Sequence, residues 1–219
     1  TPKSQYNFLV LDNGCGMSNK DAKMSFERHA TSKIKKPEDL FSIKSMGFRG
    51  EAMASIGAIS HVELNTKLTN EELGCKIIFE GSEFKSQESC ICANGSSIKI
   101  KNLFFNVPAR RKFLKSDKVE NKHIMEQFIR IALANSEISF SLKIDNNYVF
   151  KLEPSKFRQR IINIIGSKTN EKLVPVEEET NLVKISGFIG KPEYAKLTRG
   201  EQYFFVNGRF IKNYYLNHA

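Results

Sequence analysis

Tryptophan is absent from this sequence, cysteine and histidine are scarce, and no long apolar run occurs. Each absence excludes something. A membrane helix needs roughly 20 consecutive apolar residues, and no segment approaches that. The polar start Thr1-Pro2-Lys3-Ser4-Gln5 lacks the apolar centre of a signal peptide, so a cytoplasmic, reduced setting is expected. Cys15, Cys75, Cys90 and Cys92 include no Cys-x-x-Cys pair, and the four histidines are scattered, so no protein-ligated metal is expected. No Gly-x-x-x-x-Gly-Lys-Ser/Thr phosphate loop is present. Gly14-Cys15-Gly16 also fails as a dinucleotide fingerprint, because Asn19 stands where the third glycine belongs. No stretch reads as a base-recognising module, and neither internal repeats nor low-complexity tracts occur.

What is present begins with Asp12-Asn13-Gly14-Cys15-Gly16, directly after the apolar run Phe8-Leu9-Val10-Leu11. That order puts a carboxylate at a strand end and two glycines where backbone can lie against a flat ligand. A carboxylate there accepts a hydrogen bond from an exocyclic amine, such as that of adenine, and repels a ring carbonyl. Alone, the same pattern also describes an ordinary strand-to-loop turn.

Two later segments supply what an adenine site lacks. Thr31-Ser32-Lys33 and Gly47-Phe48-Arg49-Gly50-Glu51-Ala52 lie downstream in order, and a small-residue helix is expected over Ala52–Ile59. Free N–H groups and the helix dipole would face an anion there, and Arg49 adds a charge-assisted donor. Between them, Ile34–Met46 is lysine-rich with few apolar anchors, which suits a lid over phosphates. Either segment alone reads equally as a glycine turn or a solvated loop. His29 is placed to touch nucleotide or to serve structure.

The wording of these segments goes further. Asp12-Asn-Gly-Cys-Gly-Met17, Glu27-Arg-His-Ala-Thr-Ser-Lys-Ile34, Gly47-Phe-Arg-Gly-Glu-Ala52, Leu103–Leu114 and Phe205–Ile211 resemble, in order, the MutL family of mismatch repair ATPases. This family is a branch of the Bergerat-type (GHKL) ATPases, which also include type II topoisomerases and heat-shock chaperones. The resemblance implies an α+β sandwich, a mixed sheet with helices on one face, followed by part of a ribosomal-protein-S5-domain-2-like domain. The expected boundary lies near Leu152, giving residues 1–152 and 153–219.

By the same resemblance, Asp12 binds adenine and Gly14 and Gly16 lie beneath it. Thr31, Ser32 and Lys33 belong to the lid, and Gly47, Phe48, Arg49, Gly50, Glu51, Ala52 and Met53 to the phosphate side. Asn94-Gly95-Ser96-Ser97 resembles the family's Gly-Thr-Thr, with Ser96 and Ser97 keeping the hydroxyls and losing two methyl groups. The family implies ATP and magnesium, double- and single-stranded DNA, a homodimer formed on ATP binding, the mismatch-recognition protein MutS and downstream repair factors. Its general-base glutamate and magnesium-binding asparagine form a Glu-x-x-x-Asn helix upstream of the aspartate. Neither precedes Asp12 here, so no catalytic residue is assigned and negligible ATP turnover by these 219 residues alone is expected.

A net charge of +10 and a pI near 9.4 favour an anionic partner. A helix is expected from Pro108, capped by Asn106, with Arg111 and Lys115 on one face. Those two and Arg209, beside the Asn207-Gly208 turn, are the candidate DNA contacts. The alternatives are a solvated helix face and a turn arginine satisfied by local carbonyls.

Further elements read from periodicity. Strands are expected at Val62–Lys67, Cys75–Phe79 and Ser96–Lys101, then an amphipathic helix presenting Ile124, Phe128, Ile131 and Ala132. Ile138, Phe140, Leu142 and Ile144 alternate into a hairpin through Asp145-Asn146-Asn147 to Tyr148–Leu152. Ser155 is expected to cap a helix ending at Gly166. Strands follow at Leu173–Val176 and Leu182–Ile189. Tyr203–Val206 and Phe210–Ile211 make a hairpin, and a helix is expected over Asn213–Ala219.

Overall fold

A computed structural model describes residues 7–31, 47, 49–196 and 200–215. It divides into two compact units, Thr1–Leu114 and Lys115–Ala219.

In the first unit the order is β1 (Phe8–Asp12), α1 (Asn19–Met24), α2 (Ala52–Gly57), β2 (His61–Lys67), β3 (Gly74–Glu80), β4 (Glu83–Cys90), β5 (Gly95–Lys101) and α3 (Pro108–Phe113). The five strands form one sheet in the order β1-β5-β2-β3-β4, and every described pairing is antiparallel. The α+β class is as expected. β4 escaped the sequence reading because Glu83-Phe-Lys-Ser-Gln-Glu-Ser-Cys90 is polar and mostly exposed. It is an edge strand held by its ladder to β3 across the Gly81-Ser82 turn, where both residues have positive φ.

Strict alternation in β2 sends Val62, Leu64 and Thr66 inward, joined from β3 by Cys75, Ile77 and Phe79. α1 and the turn after it cover that face with Ala22 and Phe26. Met53 and Ile56 of α2 pack beside them. Phe26 stacks on Phe79 with centroids 4.5 Å apart. Gly57 permits this approach, since a Cβ there would stand 2.7 Å from the Phe79 ring. Each fully buried aliphatic side chain contributes about 1.5–3 kcal/mol, so Leu64 and Ile77 anchor the layer. α1 starts on Ser18, whose Oγ accepts from the Asp21 N–H at 3.1 Å and lies 2.7 Å from the Asp21 carboxylate. On the other face Glu63 meets Lys99 at 3.3 Å and Lys101 at 3.6 Å. Burial opposes ionisation of Glu63, but hydrogen bonding and attraction to Lys99, with Lys101 behind, outweigh it and hold the carboxyl below its usual range.

The second unit runs α4 (Asp117–Ala134), β6 (Phe140–Ile144), β7 (Asn147–Leu152), α5 (Phe157–Ile165), a 3-10 segment Ser167–Lys172, β8 (Leu173–Glu179), β9 (Lys184–Gly190), β10 (Phe204–Val206) and β11 (Arg209–Ile211). Its strands form three local hairpins. Two turn as expected, with positive φ at Asp145 and Asn146 and at Asn207 and Gly208. Phe128 of α4 stacks on Phe150 and meets Phe140 edge-on. Arg160 of α5 is fully buried, and its Nη2 donates to the carbonyls of Ser136, Ile138 and Glu153. Desolvation pushes its pKa down.

Several details depart from expectation. Asn106 does not cap α3. Its amide donates to the Ala58 carbonyl at 2.9 Å, and Val107 holds the cap position with Pro108 first in the helix. Nor does Ser155 cap α5, which starts after Lys156 without a side-chain cap. Ile131 is exposed while Leu133 is buried, so the face of α4 that packs is turned slightly from the expected one. Leu182 lies in a turn where Thr180 Oγ1 accepts from Leu182 and Val183, so β9 starts later. Asn213–Tyr215 is not helical, and the remainder of the expected last helix, like the Ile34–Met46 lid, lies outside the described residues. The compact division falls at Leu114, ahead of the domain boundary expected near Leu152, because α4 and the β6–β7 hairpin pack with α5.

Candidate functional site

β1 ends at Asp12, whose Cα lies opposite Ser96 of β5. One carboxylate oxygen, Oδ1, accepts from the Gly14 N–H at 2.9 Å and the Ser96 N–H at 3.2 Å. These two bonds fix the carboxylate plane. The side chain is exposed, and among the described residues Oδ2 takes no donor. A fixed carboxylate with one oxygen open is what recognition of an exocyclic amine requires.

The glycines around it are needed for space. Gly16 has φ +68°, and a Cβ there would stand 2.1 Å from the Lys67 carbonyl oxygen. Gly95 has φ +97°, and its Cβ would meet the Asp12 carbonyl oxygen at 2.2 Å. A Cβ on Gly14 would press the Asp12 carboxylate at 3.0 Å. Three backbone segments thus meet where only glycine allows it.

Thr66 ties them together, and the sequence reading missed it. Fully buried at the end of β2, its Oγ1 donates to the Gly95 carbonyl at 2.9 Å and accepts from the Met17 N–H at 3.0 Å. It also lies 3.2 Å from Ser96 Oγ. A signal existed: alternation through Val62 and Leu64 puts Thr66 inward, and an inward hydroxyl needs partners. Ser96 therefore belongs to the site through both its backbone and its hydroxyl, and Ser97 follows it on β5, opposite Leu11.

On the phosphate side, Gly50 has φ +63°, and a Cβ there would lie 2.1 Å from the Ala30 carbonyl oxygen. This brings Arg49–Ala52 against the residue before Thr31. His29 Nδ1 and Glu51 Oε1 are 3.4 Å apart across the same junction, which places His29 beside the segment before α2. Gly47 and Arg49 are exposed, and Glu51 directly precedes α2, which carries Ala52 and half-buried Met53. α2 runs for 6 residues, shorter than the expected Ala52–Ile59, so its dipole offers an anion little. Ser32, Lys33 and Phe48 lie outside the described residues.

The pairing of Arg111 with Lys115 on one helix face is overturned. α3 ends at Phe113, Leu114 turns extended, and the Lys115 N–H is taken by the Glu120 carboxylate at 2.8 Å ahead of α4. Arg110, Arg111 and Lys112 remain exposed on α3. Arg209 opens β11, paired with Val206 across the Asn207-Gly208 turn. No group of three His, Cys, Asp or Glu converges among the described residues, and no described helix is long and apolar enough to cross a membrane.

Comparison with known proteins identifies the relatives of the chain. A family model described as "DNA mismatch repair protein, C-terminal domain" matches residues 161–219. The DNA mismatch repair protein MutL of Christiangramia forsetii is 63% identical over 210 residues, covering 96% of this chain and 34% of that protein. Its counterpart in Bacteroides fragilis is 51% identical over the same coverage. The chain therefore spans about a third of the length of these relatives. Among solved structures, the Aquifex aeolicus MutL ATPase domain complexed with ADP superposes with a TM-score of 0.71 at 25% identity, covering 97% of this chain and 73% of that one. An N-terminal domain of a DNA repair protein gives a TM-score of 0.75 at 21% identity over 94% of this chain and 66% of that one, a likeness of fold.

Proposed function

Since this chain belongs to the MutL family of DNA mismatch repair proteins, we propose that it forms the ATP-binding region of a DNA-clamping ATPase. The observation carrying this is the Asp12 carboxylate, oriented by Gly14 and Ser96 with no donor to its second oxygen among the described residues, beside two close backbone contacts, at Gly16 and Gly95, that only glycine allows. Asp12 accepts the adenine amine, and Gly14, Gly16 and Gly95 let backbone approach the ring. Thr31, Ser32, Lys33 and Gly47–Met53 attend the phosphates, with Arg49 as a cationic donor. The ADP complex of the Aquifex aeolicus domain supports the same ligand class.

Magnesium would accompany the nucleotide phosphates and offset their charge, but no residue of this chain is assigned to it.

Nucleotide acts as a switch: its contacts favour a closed arrangement of two ATPase regions that retains DNA. Residues 153–219 begin the S5-domain-2-like domain, and Arg209, Arg111 and Lys115 contact phosphates of double- or single-stranded DNA. MutS and downstream repair factors are the protein partners in a cytoplasmic, nucleoid-associated setting. The deciding experiment titrates ATP and GTP into the full-length protein. ATP binding with GTP excluded, and lost in Asp12→Asn, supports the reading. DNA binding without nucleotide binding would favour a scaffold role instead.

A further inference from the structure

Three of the four cysteines gather at one end of the sheet. Cys90 closes β4 with its Cα opposite Gly74 of β3. Two residues on, the Cys92 sulfur fills the space over Gly74, where a Cβ would stand only 2.3 Å from it. Cys75, next to Gly74, is buried and accepts from Gln87 Nε2 at 3.3 Å. Gly74 and Cys90 are directly paired, so their Cβ directions share a face, and the Cys90 side chain stands on the face where the Cys92 sulfur sits; both residues are half-buried rather than sealed. The recess they share also touches the cradle: the same Cβ position lies 2.8 Å from the Thr66 carbonyl oxygen, and Cys92 leads through Ala93-Asn94 into Gly95.

We propose that Cys90 and Cys92 form an oxidisable dithiol, a site that exchanges with small-molecule disulfides and whose closure weakens nucleotide binding. The second half rests on the ATP reading above. Burial pushes the Cys90 thiol up, which suits it to the second, resolving step. The Cys92 thiolate breaks the small disulfide and forms a mixed disulfide. The departing thiolate takes up the proton that Cys92 shed. Cys90 then gives up its proton and attacks the Cys92 sulfur, forming the internal bond and releasing the second small thiol. Two protein thiols are oxidised and one disulfide is reduced to two thiols.

A sulfur–sulfur bond is about 2.05 Å long, so closing it draws the Cys92 sulfur from its place over Gly74 toward Cys90. That movement passes through two residues to Gly95. Gly95 has no slack: its carbonyl holds the Thr66 hydroxyl and its Cα abuts Asp12.

The full-length protein is equilibrated in glutathione buffers of graded potential, alkylated and digested with trypsin. The expected product is peptide Ser86–Lys99 lighter by two hydrogens. Oxidised protein should bind ATP about tenfold more weakly than reduced, the effect of one misaligned hydrogen bond, with dithiothreitol restoring it. Cys92→Ser, which lacks the attacking thiol, should bind ATP as the reduced protein does, regardless of buffer. Failure of the Ser86–Lys99 disulfide to form, its formation to Cys75 or Cys15 instead, or equal ATP affinity in both states would overturn the proposal. Reduced protein that binds no ATP overturns the nucleotide reading and with it the coupling, whether or not the disulfide forms.

Discussion

Replacing Thr66 by valine keeps the shape of the side chain and removes only the hydroxyl on which the cradle converges. The Met17 N–H, held at 3.0 Å and half-buried, is then left without its acceptor. An orphaned buried donor costs about 1–3 kcal/mol. The bonds to the Gly95 carbonyl at 2.9 Å and Ser96 Oγ at 3.2 Å are lost as well. Ser96 can turn elsewhere, so these add about 1 kcal/mol in all. The sum is about 2–4 kcal/mol, or a melting shift of roughly 8–16 °C for a unit of this size. Met17 follows Gly16 directly, so the loop under the base loosens and ATP affinity falls about tenfold. Thr66→Ser, which loses only a methyl group, should cost about 1 kcal/mol and leave nucleotide affinity intact. Urea unfolding and ATP titration of the three proteins measure both quantities. If valine is tolerated within about 0.5 kcal/mol, or if serine loosens nucleotide as much as valine does, the hydroxyl is not what joins these segments.

Gly95→Ala forces a Cβ to within 2.2 Å of the Asp12 carbonyl oxygen at positive φ, so it should unpair β1 from β5. Faster exchange of the Phe8–Asp12 amides would show this, and unchanged exchange would contradict it. Glu63 is depressed in the folded protein, so its contribution is present above the unfolded carboxylate range and lost as pH falls through the folded value. Glu63→Gln should therefore flatten the acid limb of the stability curve below about pH 4.5, and an unaltered limb would show that Lys99 and Lys101 do not stabilise it. Arg209→Glu should weaken binding to all duplex sequences equally and reduce the salt slope, whereas sequence-dependent loss would mean base contact.

The sequence disclosed the first unit best where chemistry and periodicity coincided. Val62, Leu64 and Thr66 alternate, and the Asp12 motif follows an apolar run, so strand and carboxylate could be placed together. Asp145-Asn146 and Asn207-Gly208 named their hairpins because few residues accept positive φ. β4 stayed hidden because an edge strand needs no apolar face, only a neighbour with free backbone groups. The helix from Pro108 was expected to reach Lys115 because nothing in Arg110–Lys115 is a helix-breaking residue type. Phe113 is exposed, and the extended backbone at Leu114 ends the helix. Ser155 resembles a cap by residue type alone, yet its hydroxyl is buried without a partner. Thr66 was passed over because a single inward hydroxyl announces itself only when its three partners, distant in sequence, are seen together.

The pairing of β1 with β5 bears on biosynthesis. Asp12 and Ser96 are 84 residues apart, and β5 is the only described partner of Phe8–Asp12. At 5–20 residues per second, a ribosome takes roughly 4–17 s to deliver that partner. Through that interval the apolar run Phe8-Leu9-Val10-Leu11 lacks the one strand partner it has among the described residues. The Asp12 end of the sheet is thus completed late in translation, after β2 and β3 have emerged to template it.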